Sequence, residues 1–288
     1  MVSDVLFDVN FWVIAAGTIV LGSVSGMVGT ISVLKGQSLI GDAIGHSTFA
    51  GIVISFMLFQ QRDPWLLALG AFVAGVVAFK IVQVIKSHSK IKLDSLLALV
   101  LSSFFGLGMV LKSYIQGNPK YLNASQSGLQ NYIFGQASYI MKSDLKLIVL
   151  ISLVSFFLLM WFYQPLKIFI FDEEFACSLG LRKNFYNGLI LIMTTLMIAV
   201  GLKAVGSILI SSMLIAPAIC GLNWSQRFDR VLLIAGLVGG SSAFIGSLMS
   251  STIKNMPTGP AIILVMSGIA LVAIIFTQAR LKKIVRRE

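Results

Sequence analysis

An aspartate and a histidine, Asp42 and His46, stand four residues apart in an apolar run of small residues, GDAIGHSTFAG at 41–51. On a helix, positions i and i+4 share a face, so a carboxylate oxygen and an imidazole nitrogen are presented to one point. A hard and a borderline donor without a thiolate suit Mn²⁺, Fe²⁺ or Zn²⁺. Ionisable side chains are costly in hydrocarbon and usually face a bundle interior or a watery path, which marks the pair as a candidate site for a transported ion. The plainer reading makes Asp42 a helix cap near a membrane surface and His46 a core histidine bonded to a carbonyl. Met213 and Cys220 lie near Pro217 and could add soft ligands, although methionine and free cysteine far more often serve as packing. His88 falls in a polar run and reads as a solvated loop histidine.

The elements that hold such a pair follow from composition. Of 288 residues, 57% are hydrophobic and 11% charged, with a mean hydropathy of +0.93; a soluble domain carries about 25% charged residues. The chain is therefore read as an all-α polytopic membrane protein. Its 22 basic against 11 acidic residues give a net charge of +11. A nucleic-acid partner is not inferred from that excess, because loops on the cytoplasmic side of a membrane are lysine- and arginine-rich for orientation reasons alone. Cys177 and Cys220 occupy unrelated contexts, so no disulfide framework is implied. Asp4 and Asp8 stand where a signal peptide would have a basic region, and no cleavable signal is expected.

Apolar runs predict about nine spans, eight being possible, at residues 11–34, 40–59, 65–85, 93–111, 145–166, 185–202, 205–222, 231–251 and 261–278. Gly22, Gly26 and Gly29 in the first offer close helix contacts, and the second carries Asp42 and His46. Between the fourth and fifth, the polar stretch 112–144 holds turns at Asn118-Pro119 and Ser127-Gly128. Tyr132 to Ala137 within it suggests a short interfacial or re-entrant piece, or a plain interface belt of aromatic residues. Pro217 interrupts the seventh span, which is tolerated where neighbours re-satisfy the backbone. Residues 1–288 form one transmembrane domain on this reading. With the N-terminus outside and the C-terminus cytoplasmic, 15 of the 22 basic residues lie inside, the orientation the positive-inside rule selects.

That orientation also puts residues 171–183, FDEEFACSLGLRK, in the cytoplasm. Asp172, Glu173 and Glu174 begin the segment and Gly180 falls near its end, the order a short helix prefers. Phe175, Leu179 and Leu181 are expected to form an apolar stripe, which a mere connector does not need but a helix seated in another protein's groove does.

Other classes fit less well. A proton- or sodium-coupled secondary transporter using Asp42 and His46 as a relay is the alternative, but no matching Asp/His helix recurs in the C-terminal half. An intramembrane metalloprotease would need His-Glu-x-x-His, which is absent. No P-loop is present either, so any use of ATP belongs to a separate chain and this one is not an enzyme.

Four ordered stretches, QSLIGDAIGH at 37–46, YIFGQA at 132–137, VGSILISSMLIAPA at 205–218 and PTGP at 257–260, resemble the motifs of the permease subunits of manganese, zinc and iron ABC importers. The similarity runs from about Gly22 to Gln278. It implies a fold related to the cobalamin-type permeases, in a bacterial cytoplasmic membrane, working as a homodimer with two cytosolic ATP-binding subunits and an extracytoplasmic metal-binding protein. Manganese is then the favoured cargo, zinc or iron the alternatives, and no cofactor is permanently bound. The resemblance further implies that Asp42 and His46 contact the ion. It also implies that Asp172, Glu173, Glu174, Phe175, Leu179 and Gly180 belong to a cytoplasmic helix that docks the ATPase. Gly45, Phe49 and Ala50 depart from the serine, leucine and proline common in that family, and Cys220 replaces a small residue. Without the proline, the second helix is expected to be straighter, with its amides fully paired.

Overall fold

The computed structural model describes residues 7–285 apart from 122–128, 130, 136, 138, 139, 208, 254 and 255. The Ser127-Gly128 turn, Gln136 of the re-entrant piece and the last three residues of the basic tail therefore lie outside the described residues. All regular structure among the described residues is helical. Among the described residues, eight helices are long and apolar enough to cross a membrane: α1 (Val9–Leu34), α2 (Ser38–Phe59), α3 (Pro64–His88), α4 (Leu93–Gly117), α6 (Lys142–Trp161), α9 (Lys183–Val205), α11 (Phe228–Thr252) and α12, whose spanning part is Thr258–Thr277. Between them lie the shorter helices α5 (Asn131–Phe134), α7 (Tyr163–Phe171), α8 (Glu173–Ser178) and α10 (Ile210–Trp224).

Helix α1 is the axis of the bundle because its glycines let neighbouring backbones touch it. A Cβ on Gly22 would stand 2.6 Å from the Gly239 carbonyl oxygen of α11, and one on Gly26 2.6 Å from that of Ala235. Gly29 meets the Leu214 carbonyl of α10 still more closely. Small residues at such crossings replace the hydrophobic drive that is missing between helices in lipid. Outward-facing leucine, valine and aromatic side chains, such as Leu107 and Val110 on α4, Phe157 on α6 and Leu264 on α12, are exposed, as suits surfaces solvated by acyl chains.

Two expected boundaries are corrected. The fifth span stops at Trp161 instead of running to 166, and a separate helix α7 follows. Pro165 accounts for the break: it lacks an N–H, and its ring would clash with the carbonyl of residue 161 in a continuous helix. The seventh run is not a full span but the fifteen-residue α10, which begins at Ile210 rather than 205. Gly206, at φ 91°, ends α9, and the Ser207 amide donates to the Tyr132 carbonyl of α5 at 3.0 Å. Non-helical backbone at this depth is acceptable because it is enclosed by protein. Helix α10 continues through Pro217.

Candidate functional site

Helix α2 is aimed by a tight turn from α1. Gly36, at φ 65°, takes the left-handed conformation, and the Gln37 amide donates to the Ser32 carbonyl at 2.9 Å while the Gly36 amide donates to Val33 at 3.0 Å. This is a Schellman-type ending in which the glycine carries no Cβ penalty. With α2 so fixed, nearly every side chain from Gly41 to Val53 is buried, the exceptions being Asp42 and His46.

The pair meets as the spacing requires. His46 Nε2 lies 3.6 Å from Asp42 Oδ1, with side-chain exposures of 15% and 38%. Ser211 of α10 donates to the same Oδ1 from 3.4 Å. The ring of Phe105 on α4 packs against the imidazole in a T-shaped contact, with centroids 5.0 Å apart and planes at 85°. Nδ1 of His46 is buried without a hydrogen-bond partner; the carbonyl partner of the plainer reading is therefore not seen. Neither Ser211 nor Phe105 was singled out from sequence. Ser211 lies inside the 205–218 stretch, whereas nothing about Phe105 distinguishes it from other aromatic residues of an apolar run. Among the described residues no third His, Cys, Asp or Glu joins the pair. Cys220 and Met213 are wholly buried packing residues, and Met213 touches α1 at Gly22. The arrangement is thus a partly exposed pair of one carboxylate and one imidazole on a single face of α2.

The three departures in α2 lie where it meets its neighbours. A Cβ on Gly45 would come within 2.9 Å of Ile210 on α10, and Phe49 and Ala50 pack on Gly108 of α4 at 2.8 and 3.1 Å from its ideal Cβ position. They set how closely α4 and α10 approach the pair. Helix α2 itself is uninterrupted from Ser38 to Phe59.

Between the end of α7 at Phe171 and the start of α9 at Lys183, the segment is helical only from Glu173 to Ser178. Asp172 caps it, accepting from the Phe175 amide at 2.8 Å, and Gly180 ends the turn at φ 86°. Phe175 and Leu179 are exposed, joined by Phe171. Leu181, expected in the stripe, packs instead against the core, because its amide folds back onto the Ala176 carbonyl at 3.1 Å and turns the chain inward. Glu173 is held by Lys35 at 3.3 Å and Lys183 at 2.5 Å. The hydrogen bond from Lys183 first, and then the charge of Lys35, keep its carboxyl below the usual carboxylate range. Glu174 stays exposed. His88 is exposed too, but it closes α3 rather than sitting in a loop.

A membrane-spanning bundle with a half-open acid–imidazole pair part-way along one span belongs among the polytopic transport proteins. The sequence model of the ABC 3 transport family matches residues 7–277, and the chain belongs to that family. It is 41% identical over 253 residues to the manganese transport system membrane protein MntC of Bacillus subtilis, covering 88% of this chain but 57% of that protein's length. It is 36% identical to the zinc transport system membrane protein TroC of Treponema pallidum, covering 93% of this chain and 89% of that one. The solved structure of PsaBC from Streptococcus pneumoniae in complex with Fab superposes with a TM-score of 0.84 at 28% identity, covering 95% of both chains. These relatives give no support to the proton-relay alternative.

Proposed function

We propose that this chain is the permease subunit of an ATP-driven importer of divalent transition-metal ions, with manganese as the preferred cargo and zinc and iron as competitors. The observation that carries the reading is the Asp42–His46 pair, which alone interrupts the buried run from Gly41 to Val53 of α2. A carboxylate with an imidazole binds such ions without the thiolates that would hold them too tightly, and a transport site has to release what it binds. Two donors per chain are too few for a closed shell. A second copy facing the first supplies four, so the permease works as a homodimer, with water completing the coordination. The cytosolic ATP-binding subunit docks on α8 through Phe175 and Leu179, and an extracytoplasmic metal-binding protein delivers the ion at the opposite end. The excess of basic residues beside α8 supports placing that end in the cytoplasm, and residues 1–288 act as one transmembrane domain.

Preference for manganese over zinc rests on the relatives, since affinity order alone favours zinc. The test is uptake of labelled Mn²⁺ in cells lacking other importers, with and without this chain and its partner subunits. Restored accumulation that vanishes in Asp42→Ala supports the reading, and restored accumulation indifferent to that substitution overturns the site.

A further inference from the structure

Between the basic ends of α3 and α9 lies a cleft of about 500 Å³ whose lining includes neither Asp42 nor His46. It is lined by Ile40 and Ile44 of α2, which point away from the face carrying Asp42 and His46, since a two-residue step turns a helix by about 200°. Its mouth carries Lys35, Lys86 and Lys183 against the single carboxylate of Glu173. Glu173 is already bound by Lys35 and Lys183, and Lys86 has no carboxylate partner among the described residues. A surplus of two positive charges repels a divalent cation and attracts an anion. Asn187, which accepts from Lys35 at 2.8 Å, fixes that ammonium in the wall.

The inner part is of a different character. Phe79 and Val82 of α3 and Ile190 of α9 line it, and Val82 and Ile190 are nearly fully buried. From Lys183 to Thr194 the lining extends about 16 Å along α9, at 1.5 Å per residue. A cationic mouth at the helix ends and a mainly apolar interior, with the paired hydroxyls of Ser32 and Thr194 in its wall, match an amphiphile with a negative head, not a small free anion. Basic pockets between spans take the head groups of acidic lipids for this reason.

We propose that the cleft binds an anionic phospholipid, with its phosphate at Lys86, Lys183 and Lys35 and the first part of an acyl chain between α3 and α9. The site is separate from the metal pair and does not depend on which ion is carried. Because Lys35 and Lys183 also hold Glu173, the bound lipid lies directly beside the root of α8.

The full-length chain is purified in detergent, and its retention of phosphatidylglycerol and phosphatidylcholine, offered in equal amounts, is measured by native mass spectrometry. The expected result is preferential retention of phosphatidylglycerol, weakened about five-fold by Lys86→Gln, the effect of one near-surface lysine at an acidic lipid. Lys92→Gln, on the neighbouring turn, should leave it unchanged. Ile190→Trp, which fills the apolar part, should lower retention as well; if that variant does not fold, the two exposed lysine variants still decide. Equal retention of both lipids, or equal effects of Lys86→Gln and Lys92→Gln, overturns the proposal. Inorganic phosphate that displaces phosphatidylglycerol at millimolar concentration would make this a free-anion site and overturn it too.

Discussion

Ser211 on α10 reaches across to Asp42 on α2, its hydroxyl 3.4 Å from the carboxylate oxygen that also faces His46. One oxygen thus collects a hydroxyl and an imidazole from two helices, and the Ser211 bond helps decide where that oxygen points. A long hydrogen bond to a charged group is worth about 1 kcal/mol. Ser211→Ala should therefore raise the half-saturating metal concentration for uptake about five-fold and leave the maximal rate nearly intact. An unchanged dose curve would remove Ser211 from the site.

Removing a donor is more severe. Loss of a partner that merely orients a metal ligand costs about 10- to 100-fold in affinity or activity, so Asp42→Ala and His46→Ala should each lower metal accumulation by at least about ten-fold at normal protein levels. Accumulation in cells lacking other importers, paired with an immunoblot of the membrane fraction, gives the answer. Wild-type uptake in both variants would assign the pair to packing.

Cargo choice is read by competition. Labelled Mn²⁺ uptake should be inhibited by excess Mn²⁺ at lower concentrations than by Zn²⁺ or Fe²⁺, with all three effective because oxygen and imidazole donors accept each. Uptake that responds to zinc alone would reverse the preference.

Much of this was legible in the residues themselves. The Asp42–His46 face follows from four-residue spacing, and the central role of α1 follows from Gly22, Gly26 and Gly29, because both depend only on helix geometry. The boundary of α10 was not legible: past Gly206, the Ser207 amide bonds to Tyr132 of α5, more than seventy residues earlier in the chain, and hydropathy carries no trace of that contact. Leu181 was misplaced for a similar reason. Periodicity assigns it to the stripe with Phe175 and Leu179, but the turn at Gly180 ends the helix first and lays the side chain against the core. Phe105 is beyond any single-sequence reading, since its importance comes from which helix packs beside α2.

At the end of the bundle opposite α8, Lys203 of α9 donates to Asp144 of α6 at 2.6 Å, and the Met141 amide adds a bond to the same oxygen at 2.8 Å. Asp144 is 3% exposed. Removing one partner of a buried pair leaves a charge without compensation and costs on the order of 3 kcal/mol. Asp144→Ala should lower the thermal unfolding temperature of the purified chain, and adding Lys203→Met should restore most of the loss. A single variant as stable as the parent would show that the pair contributes nothing.

The docking role proposed for α8 is separable from all of these because its ion pairs and cap bond involve neither Asp42 nor His46. Its inner side is tied to the bundle by buried Ala176 and by the Glu173 contacts to Lys35 and Lys183. Its outer side shows Phe175 and Leu179 at 53% and 56% exposure, beside three acids at the helix start. Apolar side chains held out on a rooted helix suit insertion into a groove, and a carboxylate placed there would be stranded in an apolar contact. Phe175→Asp and Leu179→Asp should each abolish co-purification of the ATP-binding subunit and metal uptake together. Insertion of the permease should be unaffected, because neither side chain packs in the core. Asp172→Ala, which removes only the cap from the Phe175 amide, should give a partial loss, since a missing cap costs about 1 kcal/mol. If both aspartate variants still bring down the subunit and still transport, α8 only joins α7 to α9, and the docking surface lies elsewhere on the chain.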